Sequence, residues 1–242
     1  WGGVLVAALI LSLFVPLILL RAVKLHELGQ RVVKLACRGS LLIMGIRLEQ
    51  MGRPMQHAGA VVANHSSWLD IFTLNAAQKV YFVSKAEVEK WPVIGMIAKY
   101  VGTVFIRRVR ADAVKQKSIF LERITAGDKL LFFPEGTSTD GRRVLPFKSS
   151  LFAAFFEEGL PEVTWIQPVT VNYVAPAKKR RNWYGWWAEM GFFEAFAMVL
   201  SKWEQGYVEL VFHAPLDVAK FDDRKALAMA AEKSVLEGLH LR

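Results

Sequence analysis

From Trp1 to Leu20 the chain reads WGGVLVAALILSLFVPLILL, without a single charged residue, and Arg21 follows directly. About 20 apolar residues are what a helix needs to cross the hydrocarbon core of a bilayer. Crossing the bilayer and dipping into one leaflet both stay open, because the length is borderline and Pro16 interrupts the run. A secretory signal competes poorly: the run lacks a basic start, and no small-residue cleavage site precedes Arg21. The next segment favours attachment. Lys24, Glu27, Arg31, Lys34 and Arg38 recur at intervals of three and four, which on a helix makes one polar stripe. Val32, Val33, Leu35, Ala36 and then Leu41, Leu42 and Ile43 supply its apolar side. A basic amphipathic helix beside an apolar one suits a membrane surface. Residues 1–50 are thus expected to form a membrane-associated helical pair. Leu9, Leu13 and Leu17 would meet lipid, and Arg31, Lys34 and Arg38 the headgroups. The competing reading packs this helix on the core and leaves its charges merely solvated. The cations after the run place its carboxyl-terminal end on the cytoplasmic side.

Residues 51–242 read differently. Short β-like runs (Gly59–Ala63, Val80–Val83, Thr103–Ile106, KLLFF, WIQPVTVNY, Tyr207–Phe212) alternate with helical ones (Trp68–Ala77, Ala111–Thr125, Ser149–Glu158, Asp222–Leu239). That alternation argues for one α/β domain with a central mixed sheet flanked by helices. Composition narrows the partners. The chain is 53% apolar yet carries 31 Lys and Arg against 22 Asp and Glu, a formal charge of +9. Apolar and basic together point to an anionic lipid surface. Nucleic acid is ranked well below, since neither a zinc spacing nor an aromatic-and-glycine RNA signature occurs. The single cysteine, Cys37, excludes an intrachain disulfide framework. In AKKRRNWYGWW, four cations abut Trp183, Tyr184, Trp186 and Trp187, the composition of an interfacial anchor. The alternative is a surface loop with its aromatics packed inward.

Chemistry enters at VVANHSSWLD, Val61 to Asp70. A strand ending at Ala63 delivers Asn64, His65, Ser66 and Ser67 to a turn. Ser66 or Ser67 can cap the next helix. Asp70 then falls in its first turn, where a carboxylate is favoured. A loop His and a first-turn Asp can fold back within hydrogen-bond reach, the carboxylate fixing one ring nitrogen as donor and leaving the other as a base. No G-x-S-x-G nucleophile elbow occurs, so such a base would act on a substrate hydroxyl. The spacing alone is equally compatible with an unrelated strand-end His and helix-cap Asp. FFPEGTSTDG, Phe132 to Gly141, sets Glu135, Gly136 and Thr137 at a second strand end, where open α/β sheets bind ligands. GTVFIRRVR, Gly102 to Arg110, offers arginines to a phosphate or carboxylate.

Together these stretches resemble the glycerolipid acyltransferase family typified by bacterial lysophosphatidic acid acyltransferase. NHSSWLD matches its NHx4D block. Lys85 through Pro92, Gly95 and Gly102 to VFIRR matches the second, FPEGTSTDG the third, and IQPVTV the fourth, across roughly Val61 to Tyr173. The resemblance implies a membrane-bound enzyme on the cytoplasmic face of a bacterial inner membrane, expected as a monomer. It would pass a fatty acyl group from acyl-CoA or acyl carrier protein to a lipid hydroxyl, without a metal or other cofactor. His65 would be the general base and Asp70 its orienting partner. Asn64, Ser66, Lys85, Phe105, Arg107, Arg108, Glu135, Gly136, Thr137 and Ser138 would line the substrate site. Arg108 matches the arginine implicated in holding the acceptor's anion, while Arg107 stands where the family often has an acid. One departure is informative. Phosphate-acceptor members usually continue FPEGT with arginine, whereas position 138 here is serine. FPEGTSTDGRRVLPFKSSLF instead resembles the lyso-ornithine lipid branch, whose acceptors join a 3-hydroxy fatty amide to an amino-acid head. The expected acceptor is therefore a lyso-aminolipid, with lysophosphatidic acid as the alternative unless Arg142, Arg143 or Lys148 replaces the charge. A non-catalytic lipid-binding protein is the alternative of another class.

Overall fold

The structure, a computed structural model, describes residues 2–23, 25–91, 94–106, 113–187, 190–202 and 204–239. Arg107 and Arg108 lie outside the described residues. The apolar run forms α1 (Gly2–Ala22), and the striped segment forms α2 (His26–Met44). Gly45, at φ +75°, ends α2, its N–H returning to Leu42 O (3.0 Å). Two glycines of α2 let the helices approach closely. Leu9 packs over Gly39 and Leu17 over Gly29, where a methyl group would meet them at 2.8 and 3.3 Å. Leu17 is consequently buried and Leu9 half-buried, so these two form part of the seam between helices instead of the lipid-facing side expected of them, and Leu13 is half-buried.

β1 (Arg47–Met51) follows, and then β2 (Gly59–Ala63), α3 (Asp70–Ala77), β3 (Tyr81–Lys85), α4 (Ile94–Val101) and β4 (Val104–Ile106). α5 (Ala113–Thr125), β5 (Lys129–Phe132), β6 (Trp165–Val174), α6 (Phe192–Leu200), β7 (Tyr207–Phe212), β8 (Leu216–Asp217) and α7 (Arg224–Glu237) complete the order. One mixed eight-stranded sheet results, in the order β1-β7-β6-β2-β5-β3-β4, with β8 pairing β6. β6, β2, β5, β3 and β4 run parallel, whereas β6 and β7 are antiparallel. β1 straddles residue 50 and pairs in parallel with β7, so the sheet begins within the amino-terminal region.

Alternation along the strands divides the core between two faces. Val61, Ala63, Leu131, Val169 and Val171 pack with α1, α2, α3 and α6. Ala60, Val62, Leu130, Phe132 and Ile166 pack with α5 and α7. β2 is wholly buried between them, as a central parallel strand must be. Two helices differ from expectation. α3 starts at Asp70 and not Trp68, because Ser67 and Leu69 close a turn first: Leu69 N–H donates to Ser67 Oγ (3.2 Å) and Asp70 N–H to Ser67 O (3.2 Å). Ser149–Phe156 is a 3-10 helix in place of the expected α-helix.

Two cations of the α2 stripe reach the end of α3. Lys34 Nζ donates to Ala77 O (2.9 Å) and Arg38 Nε to Ala76 O (2.9 Å), the last carbonyls of α3. Cations at a helix C-terminus complement its dipole and its unpaired carbonyls. Lys34 and Arg38 thus join α2 to α3, Lys34 half-buried and Arg38, like Arg31, exposed.

Candidate active site

β2 and β5 are neighbours in parallel register, Val62 opposite Phe132, so their carboxyl ends release two turns side by side. The first carries Asn64 to Leu69 and the second Phe133 to Thr139. Asn64 continues the ladder with its side chain. Its Oδ1 accepts from Val171 N–H (2.7 Å) and its Nδ2 donates to Val171 O (3.0 Å). Buried and engaged on β6, Asn64 anchors the turn.

Asp70, with no exposed area, collects four donors. Oδ2 accepts from His65 Nδ1 (2.6 Å), Ser66 N–H (3.0 Å) and Ser67 N–H (3.1 Å), and Oδ1 accepts from Tyr173 Oη (2.7 Å). A group surrounded by donors serves as an acceptor only, so the proton between Asp70 and the imidazole belongs on Nδ1. That leaves the Nε2 lone pair, which has no hydrogen-bond partner among the described residues, as the basic position. The ring is fixed from both sides. Phe133 stacks on it with centroids 4.1 Å apart and planes at 11°, and Trp186 stands edge-on at 6.5 Å. The side chain keeps 18% of its area exposed, enough for a reacting group to reach it. Burial and the Asp70 charge push the Tyr173 hydroxyl well above its usual range, so it stays a donor.

The second turn supports the first through the backbone. His65 N–H donates to Glu135 Oε1 (2.7 Å), and Leu145 N–H donates to Oε2 (2.7 Å). His65 O accepts from Thr139 N–H (2.8 Å). Glu135 is buried, and burial pushes its carboxyl up to about 7 against the opposing pull of those two N–H bonds. Glu135, expected to help shape the acceptor site, ties two of its loops together. Gly136, at φ +74°, makes the bend between Glu135 and Thr139. Thr137 is exposed and Ser138 half-buried beside it.

The remaining candidates scatter. Ser66 is buried; its N–H serves Asp70 and its hydroxyl has no partner among the described residues. Lys85 and Phe105 sit on β3 and β4, on the far side of β5 from β2, Lys85 exposed and Phe105 half-buried. Trp183, Trp186 and Trp187 are half-buried. Trp186 N–H donates to Ser66 O (2.8 Å) and its indole to Met190 O (2.8 Å), so this ring belongs to the His65 site and not to an exposed anchor. Trp183 takes Lys179 over its ring at 4.9 Å, and Trp187 lies against Gly185. Two residues with a place here are not singled out by the sequence. Phe133 is visible there only as an apolar strand end. Tyr173 shares the face of Val169 and Val171 by strand alternation, and that period is the signal that could have found it.

Comparison with known proteins fits this geometry. The Acyltransferase family model matches residues 46–172. A protein of Rhodobacter capsulatus named lyso-ornithine lipid O-acyltransferase is 56% identical over 87% of this chain and 76% of its own length. A 1-acyl-sn-glycerol-3-phosphate acyltransferase of Neisseria gonorrhoeae is 32% identical over 82% of this chain and 76% of its own. The crystal structure of the Thermotoga maritima 1-acyl-sn-glycerophosphate acyltransferase superposes with a TM-score of 0.62. It covers 95% of this chain and 94% of its own at 20% identity, a likeness of fold.

Proposed function

The chain belongs to the Acyltransferase family and is a lysolipid acyltransferase, and we propose that its acceptor is a lyso-aminolipid whose hydroxyl is deprotonated by His65. The observation that carries the base is the 2.6 Å bond from Nδ1 to Asp70, which aims an unpaired Nε2 outward. The acceptor hydroxyl gives its proton to Nε2 as its oxygen attacks the thioester carbonyl of acyl-CoA or an acyl carrier protein. The imidazolium is stabilised by Asp70. The tetrahedral oxyanion collapses, the C–S bond breaks, and the leaving thiolate takes the proton back, giving an ester and a thiol. Uncharged Ser138 and the name of the Rhodobacter relative support the amino-acid head group.

The test offers purified enzyme in mixed micelles an acyl-CoA with either a lyso-aminolipid or lysophosphatidic acid. Faster turnover of the lyso-aminolipid is expected, and His65→Ala should lower it by about 10²–10⁴-fold. Preference for lysophosphatidic acid would overturn the acceptor, and an active His65→Ala variant the base.

Membrane attachment through the outer face of the α1–α2 pair belongs to the same reading. α1 is long and apolar enough to cross a bilayer by length and composition. On α2, Leu28, Leu35 and Leu42 are exposed and spaced seven apart, a row along one side. Leu35→Asp with Leu42→Asp should weaken flotation with anionic vesicles while leaving thermal melting in detergent unchanged. Undiminished flotation would remove α2 from the contact.

A further inference from the structure

Gly136 is pressed by a side chain from twelve residues on. A methyl group there would stand 2.7 Å from Lys148 Nζ, and 3.3 and 3.4 Å from Cδ and Cε. The Lys148 side chain is therefore folded back over the FPEGT bend. Its backbone is fixed there as well, N–H donating to Pro134 O (3.0 Å). Among the described residues its ammonium has neither an ion-pair nor a hydrogen-bond partner; the carboxylate nearest in sequence to the bend, Glu135, has both oxygens occupied by backbone N–H groups. The bend itself is tied to the candidate base, Glu135 holding His65 N–H and Thr139 holding His65 O.

We propose that Lys148 receives the carboxylate of the acceptor's amino-acid head group. The proposal rests on the lyso-aminolipid reading and adds the group that recognises it. The exposed ammonium is held over a bend that is itself bonded to His65, and an anion joined to the reacting hydroxyl by a short amide link would be received there. A single ammonium beside a neutral Ser138 suits a monoanion; a phosphate dianion is better held by bidentate guanidinium groups. Lys148 is exposed, as Arg142 and Arg143 are; what singles it out is the fold of its side chain over Gly136.

Two acceptors sharing the same hydroxyl test it: an N-(3-hydroxyacyl) amino acid with a free carboxylate, and its primary carboxamide. The wild-type enzyme should prefer the carboxylate by about 10- to 100-fold in kcat/KM, the worth of a charge-assisted hydrogen bond. In Lys148→Met the preference should collapse towards one through a rise in KM for the carboxylate acceptor, and Lys148→Arg should retain most of it. A preference surviving in Lys148→Met overturns the proposal. An equal loss on both acceptors also overturns it, since that marks a structural role, as would a lower melting temperature. Wild-type enzyme that ignores both amino-acid lipids and acylates lysophosphatidic acid refutes the acceptor reading instead, and does so before any Lys148 variant is measured.

Discussion

Asp70 and Glu135 are the two buried carboxylates of the site, and both accept hydrogen bonds from the His65 residue. Asp70 takes the ring Nδ1 and three further donors. Glu135 takes the backbone N–H of His65 and that of Leu145. One carboxylate therefore addresses the imidazole and the other the main chain that carries it. The donors differ too: Asp70 accepts from the imidazole and a tyrosine hydroxyl as well as amides, and Glu135 from two amides. Burial raises the Glu135 carboxyl to about 7 against those amides and the His65 charge. In the proposed reaction Asp70 would stabilise the charge that forms on His65, and Glu135 holds the loop that carries it.

The largest effect should come from Asp70→Asn. Its oxygen can still accept one bond, but its amide would confront the Ser66 and Ser67 N–H groups, and the imidazole would lose the acceptor that keeps the proton on Nδ1. A drop in kcat of about 10³–10⁴-fold is expected, with little change in KM. Activity within about 10-fold of wild type would break the distinction between the two carboxylates.

Glu135→Gln should be milder and should act through stability. One of the two backbone donors loses its acceptor, which costs about 1–3 kcal/mol, and kcat should fall only about 10-fold as His65 loosens. The pH dependence gives this group its own signature. A carboxyl raised to about 7 in the native state binds its proton more tightly there than in the unfolded chain, where its ordinary value is 4.5. Its contribution to stability is thus complete below pH 4.5 and is lost as pH rises through 7, at most about 3 kcal/mol. Melting temperatures measured from about pH 5 to pH 8.5 should fall more steeply for wild type than for Glu135→Gln. Parallel curves would place the origin of the slope elsewhere.

The same contrast explains what the sequence could reveal. His65 and Asp70 lie five residues apart across a strand end and a helix start, so local geometry alone can join them. Glu135 pairs with main-chain N–H groups, which every residue but proline carries, so its partners leave no trace in residue identity. The strand–helix alternation announces the α/β sheet, but the order of the strands depends on which faces meet. The α2 stripe is ambiguous for a related reason: Lys34 and Arg38 bond the carbonyl end of α3, and a cation spaced for headgroups is equally spaced for a helix terminus. Leu9 and Leu17 look like lipid-facing residues because the glycines that receive them, Gly39 and Gly29, act through the absence of a side chain.

Tyr173→Phe should give the smallest change and the sharpest reading of Asp70. The hydroxyl reaches Oδ1 from a strand 103 residues away, while the other three donors converge on Oδ2. Removing it leaves the imidazole bond intact and takes away one bond to a charged group, worth about 1.5–3 kcal/mol. If Tyr173 chiefly orients the carboxylate, kcat should fall about 3- to 10-fold, with KM for the acceptor unchanged and a modest loss of melting temperature. A loss as large as that of Asp70→Asn would mean that Asp70 does not hold His65 without Tyr173, and the unit that orients the ring would then comprise three side chains. An unchanged kcat with lowered stability would confine Tyr173 to the fold and leave Ser66 and Ser67 N–H groups as sufficient support for the carboxylate.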